Sequence, residues 1–231
     1  VRALKNRQNK IIDDLAKAIA SYEIDKVVEI TKEALHTGLD PIVLIENCLS
    51  PVLKEVGDKF ERGEIFLPEL ILVADSVKAS LNILEPEILK KKDKLKYSGK
   101  IIVGTVKGDI HDIGKNIVAA MFRAAGFEVC DLGVDVSPEI FVQKTLEIKP
   151  NIVGLSALTS VSMLEQKNII DALRTSGLRN DVKVIIGGAP TNLQWAKEIG
   201  ADAYAENSVE AVKEVKKLLG MSGCGTKFHI S

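Results

Sequence analysis

Two hydrophobic periodicities divide the chain. From the start to about residue 90, apolar positions recur at helical spacing and no convincing strand interrupts them. Ile11, Ile12, Leu15 and Ile19 mark a first helix, and Val27, Val28, Ile30, Thr31 and Leu35 mark a second. Gly38 closes that second helix, and Asp40-Pro41 then offers an N-cap followed by proline at the first position of a third. Pro51 is expected to kink or restart the third helix, which runs to about Arg62 and ends at Gly63. Leu67-Pro68 opens a long fourth helix through Val73, Val77, Leu81 and Leu84. Four helices with short connections predict a four-helix bundle over residues 1–90.

Residues 91–99, Lys91 to Gly99, are charged and aperiodic and read as a solvated linker. From Lys100 the pattern switches to short apolar runs alternating with helical segments. The runs are Ile101–Val106, Phe127–Leu132, Ile152–Ala157, Val182–Ile186 and a brief Ala201–Ala205, with a last helix over Val209–Leu219. Strand-helix alternation predicts an α/β domain over residues 100–220, a flavodoxin-like (Rossmann-like) five-stranded parallel sheet, followed by a flexible tail at 221–231.

Composition narrows the class without naming it. With 231 residues, the chain can bury a sizeable core in one large or two small domains. Its 31 basic and 32 acidic residues nearly cancel, and neither a basic tract nor an aromatic-rich stretch marks a nucleic-acid partner. No apolar run has the length of a membrane-spanning helix and no signal peptide opens the chain, so a cytoplasmic location is expected. Cys48, Cys130 and Cys224 fit neither a disulfide framework nor a zinc site. Cys130, in the second strand run, reads as a small core residue, while Cys224 and His229 in the tail have no evident role.

Chemistry concentrates in Gly108-Asp109-Ile110-His111-Asp112-Ile113-Gly114-Lys115-Asn116, between the first strand run and the helix after it. Such a loop lies at the carboxyl edge of a parallel sheet, where open sheets bind their ligands. A histidine there can present a ring nitrogen to a metal. A carboxylate two residues earlier can bond the other ring nitrogen and fix the tautomer. Gly114 suits the close approach of a bulky ligand. A phosphate-binding loop fits poorly, because five residues separate Gly108 from Gly114 and Asn116 follows Lys115. An ordinary turn carrying a surface histidine stays open on this motif alone. Two further strand ends reach the same edge, Ser156-Ala157-Leu158-Thr159-Ser160-Val161-Ser162 with its hydroxyls and Gly187-Gly188-Ala189 with its glycines.

Taken together, Asp109-x-His111-x-x-Gly114, Ser156-x-Leu158 and Gly187-Gly188 resemble the cobalamin-binding signature of corrinoid methyltransferase proteins, cobalamin-dependent methionine synthase and several mutases. The stretch Val56 to Leu70, with Phe60, Gly63 and Leu67-Pro68, is similar to the helical cap motif of the methyl-carrying members. The resemblance extends from about residue 5 to residue 219. It implies a cobalamin or related corrinoid cofactor, with His111 as the lower axial ligand of cobalt, Asp109 bonded to the imidazole, and Ser162 extending that bond towards solvent. Gly108, Ile110, Asp112, Ile113 and Gly114 would shape the ligand loop. Ser156, Leu158, Thr159, Gly187, Gly188 and Ala189 would line the channel for the cofactor's nucleotide tail. Phe60 and Leu67 would cover the upper face, though without the motif such apolar pairs are usually core. Ser162 also reads as a helix N-cap, with Glu165 completing a capping box.

The function so implied is a methyl carrier, the corrinoid component of a multi-protein system rather than a self-sufficient enzyme. Its expected partners are a substrate-specific methyltransferase, a second methyltransferase acting on a thiol coenzyme or tetrahydrofolate, and a reductive activase. A cobalamin-sensing regulator would carry a DNA-binding domain, which the first helix is too short and too weakly basic to provide. The small subunit of a mutase would lack the cap.

Overall fold

The computed structural model describes residues 2–90 and 98–221, which fall into two compact units, one within residues 1–94 and the other within 95–231. Linker residues 91–97 and tail residues 222–231, with Cys224 and His229, lie outside the described residues.

The first unit is helical. It comprises α1 (Arg2–Ala20), α2 (Ile24–His36), α3 (Pro41–Leu44), a π-helical turn (Ile45–Leu49), α4 (Ser50–Glu61) and α5 (Leu67–Lys90). Asp40 caps α3 by accepting from the Ile42 N–H at 2.9 Å. The segments from 41 to 61 follow one another directly, so the restart expected at Pro51 takes the form of a π turn just before it. Proline lacks the N–H of a regular helix and its ring crowds the carbonyl one turn back, and a widened turn relieves both. Leu15, Ile19, Val27, Leu44, Leu49, Val77 and Leu84 are fully buried, each worth about 1.5–3 kcal/mol of transfer free energy. The buried polar residues Thr31, Ser76 and Ser80 find partners: Thr31 Oγ1 donates to the Val27 carbonyl at 2.7 Å and lies 3.0 Å from Ser80 Oγ, and Ser76 Oγ donates to the Leu72 carbonyl at 2.9 Å.

The second unit is a parallel sheet of β1 (Lys100–Thr105), β2 (Glu128–Asp131), β3 (Ile152–Ser156), β4 (Lys183–Gly187) and β5 (Ala203–Tyr204), in the order β2-β1-β3-β4-β5. Between and after the strands run α6 (Ile113–Ala124), α7 (Pro138–Ile148), α8 (Met163–Thr175), α9 (Leu193–Ile199) and α10 (Ser208–Leu218). Alternation along each strand sends side chains to opposite faces. Ile102, Val153, Val184 and Ile186 pack with Phe141, Ile169, Ile170 and Leu173, while Ile101, Val103, Ile152 and Ile185 pack with Ala119, Phe122, Ala211 and Val215. Both faces are thus covered, which explains why the strands read as continuous apolar runs rather than alternating ones. The order reverses direction at β1/β3, opening a crevice at their carboxyl ends. Cys130 packs against the core as expected from its strand, though it is only half-buried because β2 is an edge strand.

Candidate functional site

Registers bring the motifs to one edge. Thr105, at the end of β1, pairs with Ser156 at the end of β3, and Ser156 pairs with Gly187 at the end of β4. The loops that follow, Val106 to Asp112, Ala157 to Ser162 and Gly188 to Asn192, therefore leave the sheet side by side. Thr105 itself is buried and donates its hydroxyl to the His111 carbonyl at 2.9 Å.

At the centre lies Asp109, whose side chain is 0% exposed. Its Oδ1 accepts from the His111 backbone N–H at 3.0 Å and lies 2.6 Å from His111 Nδ1. Its Oδ2 accepts from the Leu158 N–H at 2.7 Å and from the Ser162 hydroxyl at 2.6 Å. Burial alone would push this carboxyl up; the bonds from Leu158, Ser162 and His111 outweigh it and hold the group down at about 2. The carboxylate is thus acceptor-only at ordinary pH, so Nδ1 of His111 carries the proton between them. In the neutral ring Nε2 then holds a lone pair, and the side chain is 53% exposed.

Ser162 is buried and does not cap α8: its hydroxyl is engaged elsewhere, and Glu165 does not return the reciprocal bond. Besides donating to Asp109, Ser162 Oγ accepts from Thr159 Oγ1 at 2.9 Å. The capping box expected from spacing is therefore absent, displaced by a stronger charge-assisted bond to a residue distant in sequence. Through exposed Thr159 the hydrogen-bond chain Asp109–Ser162–Thr159 reaches the surface.

The glycines divide by role. A Cβ on Gly188 would lie 1.7 Å from the Ala157 carbonyl oxygen, and one on Gly187 would lie 3.1 Å from the Ala205 carbonyl oxygen. Both make room for the protein's own backbone. Gly114 differs, since a Cβ there meets no described atom within 4 Å, leaving open space beside the histidine loop. Around the edge, Ile110, Leu158 and Val161 expose large apolar side chains, whereas Ile113 is half-buried and Ala189 exposed. Exposed apolar side chains beside an anchored imidazole make this edge a candidate surface for an apolar ligand that also takes a nitrogen lone pair. Within the helical unit, Phe60 and Leu67 are exposed, as are Phe66 and Ile71 near the same turn.

Three residues of this region carry no signal in the motif. Thr105 reads as part of a strand. Lys115, buried in the first turn of α6, donates its ammonium to the carboxylate of Asp131 at the end of β2 and to Asn116 Oδ1 at 2.7 Å. Asp135, in the loop after β2, accepts from the Gly108 N–H at 2.7 Å. In the sequence Lys115-Asn116 serves only to set aside a phosphate-binding loop, and the Lys115 ammonium turns to Asp131.

Two family models, each described as a B12 binding domain, match the chain over residues 99–213 and 11–85. Trimethylamine corrinoid protein 1 of Methanosarcina mazei is 42% identical over 92% of this chain and 98% of its own length. The solved monomethylamine corrinoid protein of Methanosarcina barkeri superposes with a TM-score of 0.82 at 39% identity, covering 91% of this chain and 99% of that one. A chain of the methanol:cobalamin methyltransferase complex from Methanosarcina barkeri gives a TM-score of 0.52 at 31% identity, covering 91% of this chain and 80% of that one.

Proposed function

The chain belongs to the family of corrinoid proteins built from B12 binding domains, and we propose that it is a cytoplasmic methyl carrier serving a methylamine-type methyltransferase. The observation that carries this reading is the anchored imidazole of His111, with Nδ1 committed to a buried carboxylate while the side chain as a whole is half-exposed. When bound, a corrinoid supplies a cobalt centre that accepts a methyl group on one face and yields it to an acceptor.

The chain's own residues supply position and proton placement. His111 would hold the metal through Nε2. Asp109 keeps the proton on Nδ1 and stops the ring from rotating, since its Oδ1 holds both the ring and the backbone of the same residue. Ser162 fixes the other carboxylate oxygen and links it to Thr159 at the surface, a route by which a proton can reach or leave the His–Asp pair. Protonation of Nε2 removes the lone pair, so ligation and proton uptake compete at one atom. Ile110, Leu158 and Val161, which are exposed, would offer apolar surface to the macrocycle, and the open space at Gly114 would leave room for it. Ser156, Gly187, Gly188 and Ala189 form the strand ends along which the nucleotide tail is proposed to lie. Phe60 and Leu67 are proposed to meet the apolar macrocycle with their exposed side chains.

The partners proposed are a methylamine methyltransferase as donor, a second methyltransferase as recipient, and a reductive activase that restores the reduced metal. Two measurements test the reading. Reconstitution with hydroxocobalamin should give a spectrum with imidazole ligation that His111→Ala loses. Loaded protein should then be methylated by a methyltransferase specific for mono-, di- or trimethylamine. Failure to bind a corrinoid, or an unchanged spectrum in His111→Ala, would sink the proposal.

A further inference from the structure

The histidine loop is gripped from outside as well as from within. Asp135 makes two bonds to adjacent residues of it: its backbone N–H donates to the Asp109 carbonyl at 2.9 Å, and its Oδ1 accepts from the Gly108 N–H at 2.7 Å. To do so Asp135 sits at φ +54°, a left-handed conformation that costs most L-residues about 1 kcal/mol but that Asp and Asn tolerate. The residue is exposed, so burial of its side chain does not account for the geometry. The next residue is firmly placed, because the Val136 N–H donates to the Thr105 carbonyl at 3.0 Å and Val136 bridges Val106. Asp135 is thereby fixed to the end of β1, next to where the histidine loop begins.

The far end of the loop is held by the same segment. Asp131 takes the buried Lys115 ammonium on one oxygen and the Gly133 N–H on the other at 2.9 Å. The five residues from Asp131 to Asp135 thus bond to Gly108 and Asp109 before the histidine and to Lys115 after it.

We infer that Asp135 is a positioning residue for the axial histidine, its two-point grip on Gly108 and Asp109 holding the loop where the Asp109 carboxylate meets the imidazole. This rests on His111 being the metal ligand, as proposed above. The Asp109 side chain can serve His111, Leu158 and Ser162 together only if its own backbone is held still, and Asp135 bonds that backbone directly.

Three substitutions separate grip from backbone strain. Asp135→Asn keeps both the left-handed preference and an acceptor for Gly108. Asp135→Gly keeps the conformation and removes the acceptor. Asp135→Ala loses both. Each full-length apoprotein is first melted, and its His111 ring nitrogens are read by 15N NMR; the chain has three histidines, so assignment is direct. Each is then titrated with hydroxocobalamin, and the axial nitrogen is identified by electron paramagnetic resonance of the cobalt(II) form with 15N-histidine labelling.

The expected result is that Asp135→Gly melts close to wild type, yet its His111 ring signals shift towards a tautomer mixture and its affinity falls about threefold to tenfold. That loss is smaller than for a residue bonded directly to the ligand. Asp135→Asn should restore both. Wild-type ring signals and affinity in Asp135→Gly would overturn the inference. So would losses that merely track the melting temperature across all three variants. If wild type shows no histidine nitrogen on cobalt, the ligand assignment fails instead, and the apoprotein ring signals still decide whether Asp135 positions the loop.

Discussion

Asp109 and Ser162, 53 residues apart in sequence, meet at 2.6 Å, the hydroxyl of one donating to the buried carboxylate of the other. This contact joins the loop after β1 to the loop after β3 across the point where the sheet order reverses. It makes the candidate site a product of topology as much as of motif.

Asp109→Asn is expected to invert the histidine tautomer. An amide presents one acceptor and one donor end where the carboxylate presents two acceptors. The shorter backbone bond, from Leu158 at 2.7 Å rather than from His111 at 3.0 Å, draws the amide oxygen to the Leu158 side. The amide N–H then faces Nδ1, which must accept, so the ring proton moves to Nε2. Corrinoid affinity should fall about 10–100-fold. Nitrogen NMR of the apoprotein reads the tautomer directly, and an unchanged ring would refute the orientation argued here. The same variant should alter acid stability. Because the folded carboxyl titrates near 2, below its ordinary 3.8, it stabilises the fold above about pH 4. That contribution drains away as pH falls towards 2, and Asp109→Asn should lack this part of the acid transition in circular dichroism.

Ser162→Ala should be milder. Asp109 keeps the bonds from Leu158 and His111, and the exposed Thr159 can turn to water. Loss of one buried charge-assisted bond should cost about 1–3 kcal/mol in urea unfolding. Corrinoid affinity should fall less than tenfold if the hydroxyl tunes the pair rather than building it, a bound set by second-layer effects on ligands. A loss equal to that of Asp109→Asn would mean that Ser162 is required for the carboxylate's placement.

The sheet was legible because parallel strands buried on both faces must be apolar throughout, and each run marks its strand to within a few residues. The cap of α3 at Asp40 was equally plain, since both partners lie within two residues. Sequence spacing misled at Ser162, where a local capping pattern was overridden by a bond to Asp109. It was silent on Thr105, Lys115 and Asp135, whose polar partners lie six to 27 residues away and carry no periodicity. Asp109, which touches the imidazole itself, was readable as part of a motif, whereas Thr105, bonded to the His111 carbonyl, was not. Nor were those that hold the loop from the neighbouring strand.

Cys48 should be the inert thiol. Burial first, then the nearby Asp13, pushes it up to about 12 from the ordinary 9.0. At pH 8 the thiolate fraction in the native protein should be about a thousandfold below that of a free cysteine, so mass-spectrometric mapping after brief alkylation should find Cys48 unmodified until the protein is unfolded. The sign for stability follows: the native thiol keeps its proton where the unfolded one loses it. Stability from this site is therefore full below about pH 9 and declines as pH rises towards 12. Labelling of native Cys48 at the rate of the unfolded protein would contradict this placement.

Gly114 and Gly188 should respond oppositely to alanine. At Gly188, φ is +126° and the added methyl would overlap the Ala157 carbonyl, so the β3 and β4 strand ends would have to part. Overpacking and backbone strain together should cost about 3 kcal/mol or more, visible as a lower melting temperature of the apoprotein. At Gly114 the added methyl meets no described atom within 4 Å, and the residue lies within α6. Alanine there should leave the apoprotein as stable or stabilise it by up to about 1 kcal/mol. Were the space merely surplus surface, Gly114→Ala would also bind hydroxocobalamin normally. If the corrinoid fills it, the methyl group intrudes on the ligand, and affinity should fall about tenfold while stability does not. That separation of binding from folding identifies Gly114 as a glycine kept for the ligand and Gly188 as one kept for the sheet.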